Sequence, residues 1–224
     1  MQRIKIMGLA LVAVLAMSAM VASTASAKAP KESKNLVLKD PSGIIPAGTI
    51  VTATSTNLVT VTAAGNLECE TAELPTKITT NSAVKDLGTS SEDLNFGDYE
   101  GIPGACKTSA AGPAIITTSA FPWPSSFSDK GAQEEKGTKK VTFTSEFLGL
   151  AGPNNKCTFE AAKLKSTFTV GKEGHPVALA FETKDQPFKL NKKAPNTAPI
   201  CPTTGSLSGN WVVTDANGPV TNEL

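Results

Sequence analysis

Along the second half of the chain, apolar and polar side chains alternate. Val141, Phe143, Ser145 and Phe147 share one face of 140–148, against Thr142, Thr144 and Glu146 on the other. Leu164, Ser166, Phe168 and Val170 stand against Lys163, Lys165, Thr167 and Thr169, and Leu207, Gly209, Trp211 and Val213 repeat the pattern near the C-terminus. Successive side chains of an extended strand point to opposite faces, so this two-residue period predicts half-buried antiparallel strands.

The first half is less regular. Segments 49–55 and 58–63 alternate threonine with apolar residues, and Ala64-Gly65-Asn66 breaks them from Leu67-Glu68-Cys69-Glu70, which reads as a meander. Residues 77–80 give a further short strand. From 82 to 113 the period fades into Gly, Ser, Asp and Pro, predicting a long irregular loop. Loops of that length are uncommon without a purpose or a staple. No stretch of about 12 residues after the N-terminal segment carries an apolar stripe of helical period, and 132–137 is too short and too polar to nucleate a helix. The expected fold is all-β, an antiparallel sandwich or barrel-like domain with long irregular loops. The 18 glycines and 15 prolines scattered at short intervals fit many strands joined by turns.

The N-terminus breaks this pattern. Arg3 and Lys5 precede an apolar run over 6–22 and a small polar stretch ending Ala25-Ser26-Ala27, the three parts of a secretory signal peptide over 1–27. A membrane anchor is the alternative, but the run is short for a span and rich in small residues. Residues 28–35 are polar and contain Pro30, a flexible lead-in, and 36–224 form a single β-rich domain, with a division into two β subdomains near 113–137 left open. Cleavage removes Arg3, Lys5 and no acid, taking the net charge from +1 to −1. The chain loses its one arginine with them. No basic footprint for nucleic acid or an anionic membrane remains, and the mature protein is expected without a transmembrane anchor, secreted and extracellular or associated with the cell surface.

Cys69, Cys106, Cys157 and Cys201 then acquire a meaning, because an even number of cysteines in an exported chain implies two disulfides. Of three connectivities, Cys69 with Cys106 and Cys157 with Cys201 is favoured, since it pins the irregular 82–113 segment to the sheet. A zinc site would need closer cysteine spacing, and the sole histidine, His175, lies in the turn-like Gly174-His175-Pro176.

Catalytic chemistry finds little support. One imidazole gives a nucleophile few bases to work with, and Gly205-Ser206-Leu207-Ser208-Gly209 is not a nucleophile elbow, because Leu207 occupies its centre. The chain has 20 carboxylates, from which a glycosidase pair could be drawn only by geometry. No catalytic residue, metal ligand or cofactor is assigned. Two segments are candidates for binding. The acidic stretch from Glu92 to Glu100 gathers oxygen ligands without the order of a calcium loop, and reads first as a solvated turn. Phe121-Pro122-Trp123-Pro124 holds Trp123 between prolines, as a candidate ligand contact stacking on a sugar or as a plug in the open end of a β core.

The signal segment Met1 to Ala27, Gly65-Asn66-Leu67-Glu68-Cys69, Phe121-Pro122-Trp123-Pro124 and the run from Cys201 to Gly209 together resemble the secreted four-cysteine β proteins of Gram-positive soil bacteria. That resemblance implies an extracellular location and carries no activity. The expected function is a secreted, non-catalytic β domain with a structural or adhesive role at or beyond the cell envelope. The alternatives are a glycan-binding module using Trp123 and a carboxylate-dependent hydrolase.

Overall fold

The computed structural model describes residues 35–62, 65–109, 112–135, 139–150, 155–198 and 201–224, except the side chains of 184 and 185. The expected signal peptide (1–27) and all but Asn35 of the expected lead-in (28–35) lie outside these residues. Every regular element among them is a strand, and none of them forms a helix long and apolar enough to cross a membrane.

Strands are numbered in chain order. One antiparallel circuit runs through β3 (Ile50–Ser55), β6 (Ala72–Ser82), β7 (Lys85–Ser91), β11 (Trp123–Phe127), β12 (Ala132–Glu135), β15 (Leu164–Phe168), β17 (Ala180–Leu190) and β18 (Thr204–Asp215), which closes back onto β3. A second circuit runs through β4 (Leu58–Thr62), β5 (Gly65–Cys69), β9 (Ala105–Thr108), β10 (Ala114–Ser119), β13 (Val141–Phe147) and β14 (Lys156–Ala161), and closes through the same β17 and β18.

The two circuits are storeys of one object. β3 leads into β4, β5 into β6, β10 into β11 and β14 into β15 across a few residues, while the long β17 and β18 span both levels. The result is a closed, eight-stranded, up-and-down antiparallel barrel in which most strands are interrupted near mid-height. Closure pairs the edges that an open sheet would expose. The interruption of the fourth strand falls at Ala120, which has φ 81°, and at a cis Phe121–Pro122 peptide.

A separate four-stranded sheet of β1 (Val37–Asp40), β2 (Gly43–Ile44), β16 (Val177–Ala178) and β20 (Thr221–Glu223) lies where the chain enters and leaves the first storey. β1 pairs with both β2 and β20, and β20 with β16, while β19 (Gly218–Pro219) folds back on β18. Leu38 and Leu179 from this region are each 1% exposed and face the barrel interior, so the small sheet serves as a lid.

Alternation sets the interior. Val51 and Ala53 of β3, Leu87 of β7, Val141 and Phe143 of β13, and Leu207, Trp211 and Val213 of β18 are buried, while Lys77, Lys85, Asp86 and Lys165 are exposed. The sheet thus turns its apolar face inward and its charged face outward, the reverse of a barrel built to face lipid. Gly131 allows the tight return from β11 to β12, since it has φ +79° and a Cβ there would stand 2.2 Å from the Phe168 carbonyl oxygen.

One expectation is corrected. Segment 82–113 is not a long loop, because it holds β7, β9 and the short β8 (Asn95–Phe96), which pairs with β6. The inward positions of β7 after Leu87 are Thr89 and Ser91, so its strand geometry leaves no hydrophobic alternation to read. β10, β11 and β12 follow one another through 113–137 in the same barrel.

Candidate functional site

The first storey is polar along part of its inner wall. Ser91 of β7, Ser125 of β11, and Gln133 and Glu135 of β12 all point inward and are buried. The Ser91 hydroxyl donates to Glu135 Oε1 at 3.0 Å, Ser125 donates to the same oxygen at 3.3 Å, and Gln133 Nε2 donates to it at 3.2 Å. Thr76 on β6 approaches Ser91 at 3.4 Å, and Ser166 on β15 donates to Gln133 Oε1 at 2.9 Å. The network thereby crosses five neighbouring strands with Glu135 at its centre.

All three bonds to Glu135 end on Oε1, which leaves Oε2 outside the cluster. Glu135 is only 6% exposed. Burial pushes its carboxyl up to about 7, and the Ser91 and Ser125 hydroxyls, which favour the ionised form, oppose that rise.

Glu135 lines an interior cavity of about 60 Å³. Its remaining wall is mostly apolar and includes four aromatic side chains, Trp123, Trp211, Phe127 and Phe181. Two buried polar atoms of cavity-lining residues have no hydrogen-bond partner, Trp123 Nε1 and Thr89 Oγ1. Trp211 Nε1, by contrast, donates to Thr183 Oγ1 at 3.3 Å. Buried polar groups are paired in the great majority of folded proteins, so two orphans on residues that line one space are an informative exception. The second storey is better filled, with Phe143, Phe159 and Phe188 around a residual space of about 20 Å³.

Outside the barrel, a groove of about 410 Å³ crosses β11, β12, β15 and β17. It shares Phe127, Gln133, Lys165 and Ser166 with the cavity wall. Here β15 pairs with β17 only at Thr167–Glu182 and Phe168–Phe181, and β17 shifts register between Thr183 and Gln186. The gap is bridged by the Lys165 amide donating to Gln186 Oε1 at 2.8 Å. Side chains rather than a continuous backbone ladder therefore divide groove from cavity at this point.

The cysteines pair as expected. Cys69–Cys106 joins the neighbouring strands β5 and β9, and Cys157–Cys201 ties β14 to the segment leading into β18. Both belong to the second storey or its approach, away from the Glu135 cluster.

Trp123 is 0% exposed, stacked on Phe121 at 3.9 Å and close to Phe143 at 6.1 Å. Its ring offers no outer platform for a sugar and can meet a ligand only from within the barrel. The acidic stretch 92–100 contains β8 and buries Leu94, with Asp93 Oδ1 accepting from the Leu94 amide at 2.8 Å, and His175 is exposed in a turn bridged to Lys172. Among the described residues no three His, Cys, Asp or Glu side chains gather to hold a metal ion.

The residue that sequence reasoning missed is Glu135. The signal was present in Gln133 and Glu135, two residues apart in a short polar segment, but a polar inner face looks like an outer one until its neighbours are known. No protein family, curated protein or solved structure matches the chain.

Proposed function

We propose that the chain is an exported, non-catalytic binding barrel that holds a small ligand in its first storey. The single observation that carries this reading is the interior cavity whose lining joins the buried Glu135 carboxyl to Trp123 and Thr89, whose Nε1 and Oγ1 have no hydrogen-bond partner. An eight-stranded barrel has an interior that its own side chains either fill or leave for one small ligand. The second storey takes the first course, and the first storey supports the second. A purely structural or adhesive barrel has no need of a buried carboxyl ringed by donors, since an apolar filling would be more stable.

Catalysis is disfavoured by the lining itself. Among the described residues that line the cavity, Glu135 is the only carboxyl and no imidazole accompanies it, so they offer no acid and base pair. A glycan module using Trp123 as an external platform is disfavoured by the burial of that ring. Export is supported by the signal-like N-terminus and by the two disulfides, which persist in oxidising compartments.

The test is tryptophan emission and thermal unfolding of the purified protein, titrated with propylamine, ethanolamine and 1-propanol, each small enough for the cavity. Saturable binding of at least one, lost in Thr89→Leu, which fills the space, is the expected result. No binding by any of the three overturns the reading and leaves a cavity that holds water alone. Export is tested separately: the intact mass from the culture medium should match Lys28 to Leu224 less the four hydrogens of two disulfides.

A further inference from the structure

Resting on that reading, we infer that the first-storey cavity selects a small organic amine, bound as its ammonium against Glu135. The argument starts from charge. Glu135 Oε1 already accepts from Ser91, Ser125 and Gln133, three donors that suit an ionised carboxylate. Among the described residues that line the cavity Lys165 alone is cationic, and it is exposed on the outward, charged face of β15. Glu134 is paired with Lys163 at 2.9 Å on the outer side, and Lys165, Lys85 and Asp86 are exposed. An ionised carboxylate buried without a partner is costly, and a ligand that brings the missing positive charge removes that cost.

Shape and chemistry of the wall point the same way. Trp123, Trp211, Phe127 and Phe181 surround the space with aromatic rings, whose faces attract a desolvated cation. Anions are excluded by the carboxylate. A neutral ligand of the same size gains the apolar contacts and leaves the charge unanswered. A cavity of about 60 Å³ corresponds to roughly two waters at liquid density, or a short chain of a few non-hydrogen atoms.

The two orphan atoms refine the class. Thr89 Oγ1 can accept from an ammonium, whereas Trp123 Nε1 is a donor only and needs an acceptor. An amine that also carries a hydroxyl, such as ethanolamine, meets both needs. Propylamine meets one. The groove beside the β17 register shift, which shares Phe127, Gln133, Lys165 and Ser166 with the cavity, is the route of entry.

Ethanolamine, propylamine and 1-propanol have equal numbers of non-hydrogen atoms and differ in charge and in hydroxyl, so one titration series at pH 8 separates the terms. The expected order is ethanolamine, then propylamine, then 1-propanol, with the amines ahead of the alcohol by about tenfold or more, as a charge-assisted hydrogen bond gives. Glu135→Gln, which keeps an oxygen for the three donors, should erase the amine advantage over 1-propanol. Lowering the pH to 5 in the unaltered protein should shrink the same advantage by protonating Glu135, a check that needs no variant. Binding of 1-propanol equal to or tighter than propylamine overturns the amine assignment while leaving the binding barrel intact. An amine preference that survives Glu135→Gln overturns it as well, and silence from all three probes removes both readings together.

Discussion

Ser91 and Glu135 are joined by a 3.0 Å hydrogen bond although 44 residues separate them and the whole of β11 lies between their strands. The bond exists because three adjacent strands point polar side chains inward at one level, and Ser125 of the intervening strand adds its own hydroxyl to the same carboxyl oxygen. A cluster assembled from three strands has no local sequence signature, yet it decides the chemistry of the interior.

Its clearest consequence is a dependence of stability on pH. The Glu135 carboxyl lies at about 7 when folded, against an ordinary 4.5. Between those values the folded protein holds a proton that the unfolded chain has released, so the contribution is complete below about pH 4.5 and is lost as pH rises through 7. The loss amounts to about 3 kcal/mol relative to acid conditions. Urea unfolding of the unaltered protein should therefore show stability falling from pH 5 to pH 8 relative to Glu135→Gln. Parallel pH profiles for the two proteins would show that Glu135 does not titrate in this way.

The lid should open independently of the barrel. Asn81 at the end of β6 accepts from the Leu38 amide at 2.9 Å, and its Nδ2 donates to the carbonyls of Leu38 at 2.8 Å and Ile45 at 2.9 Å. One side chain thus satisfies three backbone groups of the lid. Asn81→Ala is expected to cost about 2 to 3 kcal/mol from the bonds removed. Amide exchange of β1 should accelerate while that of β13 and β14 stays slow, and uniform acceleration across the barrel would mean that lid and barrel unfold together.

Reduction should act on the other storey. The two disulfides close loops of 37 and 44 residues, each worth about 4 kcal/mol in the chain-entropy account. Replacing Cys69 and Cys106 by serine, or Cys157 and Cys201, should lower stability by amounts near that figure. Because Glu135 lies in the first storey, the pH dependence should persist in each double variant, and its disappearance would show that the storeys are not separable.

Reading the sequence succeeded where inside and outside differ in polarity. In β13, β15 and β18, apolar residues such as Val141, Phe143, Leu164, Trp211 and Val213 point inward against polar outward neighbours, and the period of two marks the strand directly. It failed in β7, where inward Thr89 and Ser91 are as polar as outward Ser90, and in β12, where inward Gln133 and Glu135 resemble a solvated turn. The failures coincide with the candidate site, because a polar interior removes the contrast that reveals a strand. The favoured cysteine pairing is the one the structure has, but the reason for favouring it fails, because Cys106 lies on β9 and 82–113 is not a loop in need of fastening. The closure of eight interrupted strands was not legible, since it depends on pairings such as Val213 with Ala53 between opposite ends of the chain.

Trp123 offers the sharpest separation between packing and binding. Its ring is fully buried and stacked on Phe121, so Trp123→Ala should cost about 3 to 5 kcal/mol, as truncation of a large core aromatic does. Trp123→Phe keeps most of the ring and removes an N–H that has no partner in the folded protein. Since deleting an unpaired buried donor also deletes its desolvation penalty, the phenylalanine variant should lose no more than about 1 kcal/mol in urea unfolding. The same variant should cost ethanolamine its lead over propylamine, because the acceptor in the ligand then has nothing to receive. A large stability loss on Trp123→Phe would instead place a strong hydrogen bond on Nε1 in the folded protein. An unchanged ethanolamine preference would take the indole N–H out of recognition.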